Sequence, residues 1–234
     1  MKYYFLHWLA FKSNIANYVR EPSFFELFGD RGFFLGNEDL KAEKGTNFDA
    51  GFEIRWQGTG DWLKSISCNA AYFRSDVEDL ITVSYDARGI GKYTNISEAQ
   101  IEGVELGLNV AFLKYFRFVG NATWQDPENR SEIEAFDGKK LPGRFEKSYL
   151  GRIEVQYRGF RVYAEYVDEK DMYYDTANLL KTEDKEEINA GASWLFRSFL
   201  FSFEAKNLQD NQYEDFKGYP LPGVSYSFSV KYDF

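Results

Sequence analysis

One histidine, His7, and one cysteine, Cys68, set narrow limits on the chemistry open to this chain. A single imidazole cannot build a His-rich metal site. It also leaves no Ser-His or Cys-His pair for nucleophilic catalysis outside the first few residues. Cys68 falls on the apolar phase of its segment, where it reads as a small buried or lipid-facing residue, and it has no partner for an internal disulfide. The acidic run Glu183-Asp184-Lys185-Glu186-Glu187 lacks the ligand spacing of a calcium loop and reads as solvated. A net charge of −9 excludes nucleic acid as a partner, because no basic patch is available to displace phosphate counterions. The expectation is therefore no catalytic residue, no metal and no cofactor. Binding chemistry remains.

The elements that would carry it announce themselves at the end of the chain. From Val224 to Phe234 large apolar side chains alternate with small or polar ones. Period two places Tyr226, Phe228, Val230, Tyr232 and Phe234 on one face of a β-strand. So aromatic a strand would aggregate in water unless something apolar covered it. A bilayer does so, and these five residues read as the closing strand of a transmembrane β-barrel and its assembly signal. Aromatics supply 19% of residues and charges 28%, a combination suited to strands with one face in lipid and one in water. No apolar run approaches the ~18 residues of a spanning helix.

The alternation recurs along the chain. Phe48, Ala50, Phe52, Ile54 and Trp56 form one set, Val104, Leu106, Leu108 and Val110 another, and Ile188, Ala190, Ala192, Trp194 and Phe196 a third. With a first strand near Lys12 to Arg20, the pattern predicts about ten antiparallel, meandering strands. Short turns fall near Gln57–Asp61, Leu113–Lys114, Arg158–Gly159 and Arg197–Ser198. Long polar connections fall near Glu21–Glu43, Asp86–Lys92, Asp126–Gly143, Tyr173–Glu187 and Gln209–Gly223. Outer-membrane barrels place short turns in the periplasm and long loops outside. A β-sandwich explains neither this rhythm nor the terminal Phe. Gly103 and Gly107 are expected to project inward, leaving room for close approach. Met1 to Phe11 has a basic start and an apolar run, but His7 and Trp8 interrupt it and no small-x-small site follows, so an export signal is not expected.

Four phrases then resemble a known family. Asn14 to Glu53 carries Arg20, Pro22, Ser23, Phe24, Glu26, Leu27, Gly29, Gly36, Asn37, Leu40, Glu43, Asn47 and Gly51 in the order of a characteristic segment of TonB-dependent outer-membrane receptors. Asn95 to Leu108, Leu141 to Tyr157 and Ala205 to Phe234 are similar to three further segments, the last being the closing signature.

The resemblance implies a 22-stranded barrel enclosing an N-terminal plug. Residues 1–234 would then be a single region of that barrel, its C-terminal part, with the plug and TonB-contacting segment absent. It implies a bacterial outer-membrane location and energised uptake of a bulky scarce nutrient of the ferric siderophore, haem or cobalamin class. Expected partners are outer-membrane lipid, the missing strands and plug, TonB through the missing segment, and the barrel-assembly machinery. Substrate contacts would come from loop residues: Phe24, Phe25, Phe33, Phe34, Tyr85, Tyr173 and Tyr174 to stack on a planar ligand, and Arg31, Arg88 and Arg130 to pair with an anionic chelate. The competing reading of the rings is that they pack on one another to hold the loops folded. A small self-closed barrel acting as porin or adhesin is the alternative function. A barrel enzyme would want Asp/His pairs in the loops, and only His7 exists.

Overall fold

A computed structural model describes every residue except 31, 87, 132 and 234; the side chains of residues 97, 215 and 216 also lie outside the description. The expectations for Arg31 and Phe234 therefore fall outside the described residues. The strands are β1 (Lys2–Leu6), β2 (Leu9–Arg20), β3 (Phe34–Leu35), β4 (Glu43–Gln57), β5 (Leu63–Tyr85), β6 (Gly91–Phe112) and β7 (Phe116–Asn129). They continue as β8 (Lys147–Tyr157), β9 (Phe160–Lys170), β10 (Lys185–Phe196), β11 (Phe199–Lys206), β12 (Glu214–Phe216), β13 (Tyr219–Pro220) and β14 (Ser225–Tyr232), with one short helix, α1 (Phe24–Phe28).

Eleven strands form one open antiparallel meander, β1-β2-β4-β5-β6-β7-β8-β9-β10-β11-β14, and the sheet does not close on itself. The strand missing from the sequence reading is β1. Leu6 pairs with Leu9 across a turn at His7–Trp8, so the apolar start of the chain is a hairpin. Residues 126–129, assigned to a loop from sequence, extend β7, with Pro127 opposite Ile101. Pairing of β7 with β8 stops at Trp124, so the missing Pro127 N–H costs no ladder bond.

Register carries the alternation from strand to strand. Phe52 lies opposite Ala70, Ala70 opposite Leu106, and Leu106 opposite Ala122. Trp194 lies opposite both Phe160 and Phe201, and Phe203 opposite Phe228. The large side chains thus merge into one apolar face, on which Phe52, Val162, Phe203 and Phe228 all stay about half exposed or more. The stretch from Phe48 to Trp56 rises about 27 Å at ~3.4 Å per residue, or about 21 Å along the membrane normal at a ~40° tilt, close to the ~25 Å apolar band of outer-membrane barrels.

On the loop side this face turns polar at Arg74, which pairs with Asp76 at 2.8 Å, and at Glu102, which accepts from the Tyr72 hydroxyl at 2.9 Å. Tyr72, Trp124 and Tyr149 mark that boundary, and the Trp124 indole donates to the Tyr149 hydroxyl at 2.8 Å. Trp56, Tyr157 and Trp194 mark the boundary at the turn side, as interfacial aromatics do.

The turns fall where expected. Leu113 (φ 48) and Lys114 (φ 64), and Arg158 (φ 45) and Gly159 (φ 85), hold consecutive left-handed positions, the backbone that matches strand twist in tight hairpins. Five short connections line one edge of the sheet and five long ones the other. Above the apolar band β5 and β6 continue as a long hairpin. Asp79 (φ 52) interrupts its alternation, so that Val77 and Leu80 both join Ile96, Ala99, Ile101 and Leu141 in one buried cluster.

The opposite face is polar and charged, with glycines under aromatic rings. Tyr18 lies opposite Gly45, Phe73 opposite Gly103 and Tyr163 opposite Gly191, and a Cβ at each glycine would run into that ring. The expectation that Gly103 and Gly107 leave open space is corrected: Phe73 fills the first position and Asn69 the second.

Candidate functional site

The long loops are folded onto the top of the sheet by the residues of the sequence phrases. Arg20, the last residue of β2, donates to Glu43 from Nε at 2.7 Å and Nη2 at 2.8 Å, and to Glu26 from Nη1 at 3.0 and 3.1 Å. Glu43 is 4% exposed and also accepts from the Ile81 N–H at 2.7 Å. One guanidinium therefore ties β2, β4, the β5 extension and the first long loop together. Hydrogen bonds to Glu43 and then Glu26 raise the Arg20 pKa. Burial acts to raise the Glu26 pKa, but bonds from Arg20 and Ser23 outweigh it and hold the carboxyl below its ordinary value.

Ser23 and Glu26 form a reciprocal capping box at the start of α1. Gly29 ends the helix at φ 64, and a Cβ there or at Gly36 would collide with backbone. Asn37 donates to the Tyr93 carbonyl at 3.1 Å, while Asn95 accepts from Lys41 N–H at 2.9 Å and donates to the Asp79 carbonyl at 2.7 Å. Glu26, Asn37, Glu43 and Asn95 thus each satisfy specific backbone groups.

On this base stands a cluster of rings. Phe25 and Phe34 have centroids 5.6 Å apart, Phe34 and Tyr85 6.1 Å, Tyr85 and Tyr174 6.1 Å, and Phe33 and Tyr219 5.2 Å. Tyr93 joins Phe25 at 6.1 Å and Phe34 at 6.3 Å. Three of the five long connections contribute, with Tyr85 and Tyr93 coming from the facing ends of β5 and β6. Of the rings singled out from sequence, Phe25, Phe33, Phe34, Tyr85 and Tyr174 are brought together; Phe34 and Tyr85 are buried.

Phe24 contacts Phe28 at 4.6 Å and is 79% exposed. Tyr173 forms a bridge with Lys181 outside the cluster. Arg88 pairs with Asp86 at 2.8 Å and Arg130 with Glu128 at 2.5 Å, so both guanidiniums are engaged. Tyr93 and Tyr219 were missed; Tyr219 sits in the Gly-Tyr-Pro phrase, and Tyr93 carries no local signal.

Two further devices fix the later loops. Asp171 receives Lys147 at 2.8 Å and Lys181 at 2.6 Å, which together lower its pKa to about 2. In the last loop the Asp210 carboxylate accepts from Val224 N–H at 2.9 Å and Asn207 Oδ1 from Asn211 N–H at 3.0 Å. Asn207 and Asp210 both hold positive φ, and a Cβ at Gly223 would strike the Asp210 carboxylate.

The concave wall beneath carries paired charges. Lys2, Lys12 and Arg55 surround Glu53, Arg152 meets Glu165 at 2.6 Å, and Arg161 meets Glu154 at 3.5 Å. Asn189 donates to Glu165 at 3.2 Å and Tyr163 to Glu204 at 3.1 Å. Such a surface suits contact with water or a polar protein body. Among the described residues no group of three metal-ligating side chains converges.

Comparison with known proteins places this architecture. Residues 1–208 match the family model described as TonB dependent receptor-like, beta-barrel. The ferrienterobactin receptor of Escherichia coli (strain K12) is 30% identical over 99 residues, which are 39% of this chain and 12% of that protein. Among solved structures, the copper transporter OprC superposes with a TM-score of 0.73 at 16% identity, covering 100% of this chain and 38% of that one. The ferric yersiniabactin uptake receptor FyuA from Yersinia pestis gives 0.71 at 17% identity, with 100% and 36% covered. The siderophore receptor PiuA from Acinetobacter baumannii gives 0.71 at 17%, with 99% and 34% covered. At these identities the structural likeness speaks for the fold. The chain spans well under half the length of each of these relatives.

Proposed function

The chain belongs to the TonB dependent receptor-like β-barrel family, and from that membership we propose that it forms the C-terminal barrel wall of a receptor importing a bulky, scarce nutrient, energised through TonB. The family places it in the bacterial outer membrane. A ferric siderophore is the favoured cargo class, because the relatives include proteins named for ferric enterobactin and yersiniabactin. The observation that carries this reading is the two-faced sheet: one face apolar over the thickness of a bilayer, the other lined with paired charges.

The remaining assignments follow from that geometry. The free edges of β1 and β14 are where the other barrel strands would pair, since an unpaired backbone group in hydrocarbon costs several kcal/mol. The charged wall around Glu53 and Glu165 would face the plug. Tyr226, Phe228, Val230 and Tyr232 would present the closing strand to the assembly machinery. Among the loop rings, the exposed Phe24 and Phe33 are best placed to stack on cargo, with Phe28 packed against the first and Tyr219 against the second.

The test is uptake of radio-iron delivered as ferric enterobactin, ferric yersiniabactin or ferric citrate by an iron-starved host with the gene intact or deleted. Loss of one chelate's uptake on deletion, restored by the intact gene, is the expected result. Unchanged uptake of all three, with unchanged growth on haem and cobalamin, would remove the reading.

A further inference from the structure

We propose that the short-turn rim of the sheet binds the headgroups of anionic phospholipids in the leaflet that faces the periplasm. The chain as a whole is acidic, at −9, yet three of its short turns reverse that sign. Residues 113–117, 157–161 and 196–199 hold Lys114, Arg117, Arg158, Arg161 and Arg197 and no carboxylate side chain. Lys114, Arg158 and Arg197 occupy left-handed turn positions, at φ 64, 45 and 54. Gly, Asn and Asp hold such backbone at least cost, so turn geometry alone does not explain a cation at all three.

The three side chains lean toward lipid. The Lys114 ammonium lies 5.4 Å from the Tyr115 ring centre, the Arg158 guanidinium 5.1 Å from Tyr157 and the Arg197 guanidinium 5.4 Å from Phe196, all within cation–π range. These rings are exposed and belong to the apolar face: Tyr115 meets Tyr157 at 5.0 Å, and Phe196 meets Trp194 at 5.0 Å. Each cation is thus held just beyond the aromatic boundary, at the height of the headgroups. None of the three makes an ion pair among the described residues. Arg117 and Arg161, by contrast, lie on the concave wall, where Asn109 and Glu154 engage them. The three turns join β6 to β7, β8 to β9 and β10 to β11, so they are neighbours along the rim. They stand about 10 Å apart, two strand spacings of ~4.8 Å. A row of unpaired cations at a bilayer surface attracts anionic lipid. The inference deepens the barrel-wall reading by naming a lipid class, and it rests on that reading rather than on the cargo.

The test counts dioleoyl phosphatidylglycerol and dioleoyl phosphatidylcholine bound to the full receptor by native mass spectrometry from detergent. The anionic lipid is expected to bind about fivefold more tightly, the factor one surface cation contributes. Lys114→Asn/Arg158→Asn/Arg197→Asn should remove most of that preference; Asn suits left-handed backbone, so the turns persist. Arg158→Lys with Arg197→Lys should retain the preference, which marks charge rather than shape as its cause. Arg117→Gln/Arg161→Gln, at the same height on the concave wall, should retain it as well. Equal binding of the two lipids, a preference undiminished in the triple Asn variant, or its loss in Arg117→Gln/Arg161→Gln overturns the proposal. So does full displacement of the lipid by an equal concentration of water-soluble glycerophosphoglycerol, which would make the rim a site for phosphate alone. Oxygen contact of a nitroxide at Leu106 in bilayers separates the two readings. Contact without lipid preference strikes this inference alone, and no contact strikes the barrel wall with it.

Discussion

Arg20→Gln should release the first long loop from the barrel. The wild-type guanidinium makes bidentate contact with Glu43, at 2.7 and 2.8 Å, and reaches Glu26 at 3.0 Å. Glu43 is 4% exposed, so without Arg20 its carboxylate would retain the Ile81 N–H and little else. Breaking a buried pair by removing one partner costs about 3–5 kcal/mol. Because the Arg20 side chain is 40% exposed, the lower end applies, about 3 kcal/mol. That corresponds to roughly a hundredfold rise in local opening. Hydrogen exchange of amides in residues 23–40, followed by mass spectrometry of the full receptor, reads this directly. The double variant Arg20→Gln/Glu43→Gln should recover part of the loss, because it removes the orphaned charge. Unchanged exchange in the single variant, or a double variant slower to recover than the single, would refute the reasoning.

Further predictions concern the later loops and the sheet. Asp171, held at about 2 by Lys147 and Lys181, titrates below its unfolded value, so its contribution is full above pH ~4 and is lost as pH falls toward 2; the Asp171 carboxyl carbon shift should titrate there, and move upward in Lys147→Gln. Gly191→Ala should destabilise by about 1–3 kcal/mol through collision with Tyr163, and adding Tyr163→Ala should relieve the collision, as unfolding midpoints in detergent would report. Asp210→Ala should free the last loop by removing the acceptor of the Val224 N–H, seen as faster proteolysis between residues 207 and 224 with the barrel intact. Leu106→Lys should cost about 2–4 kcal/mol in bilayers, whereas Asn121→Lys on the opposite face should cost far less, by urea unfolding in vesicles.

Features that depend on one strand or one turn could be read in the sequence. The even positions from Phe48 to Trp56, the Arg158-Gly159 turn and the long-short alternation of connections each follow from local period or composition, and the sheet reproduces them. His7–Trp8 contains no glycine, asparagine or proline, so β1 was invisible as half of a hairpin. Residues 126–129 looked like loop because Pro127 is unsuited to a central ladder, yet it sits where β8 has stopped pairing. The reversal at Asp79 depends on a single backbone angle that its residue type does not require.

The loop site was half legible for the same reason. Phe25, Phe33 and Phe34 cluster in sequence, but their meeting with Tyr85, Tyr93, Tyr174 and Tyr219 depends on where three loops and the β5–β6 hairpin fold. The pairing of Tyr18 with Gly45, or Tyr163 with Gly191, requires knowing the register. Arg20, Glu26 and Glu43 stood out only by resemblance, and the structure supplies their reason: one guanidinium bridges two carboxylates at the barrel rim.

The central claim is that lipid solvates the alternate large side chains of the sheet. Nitroxide labels placed singly from Gly103 to Val110 in the bilayer-embedded receptor test it through collision with oxygen and with a water-soluble nickel chelate. Oxygen contact peaking at Val104, Leu106, Leu108 and Val110, with nickel contact peaking at the residues between, is the predicted result. Low contact with both reagents at those even positions would place them in a protein interior and contradict the account.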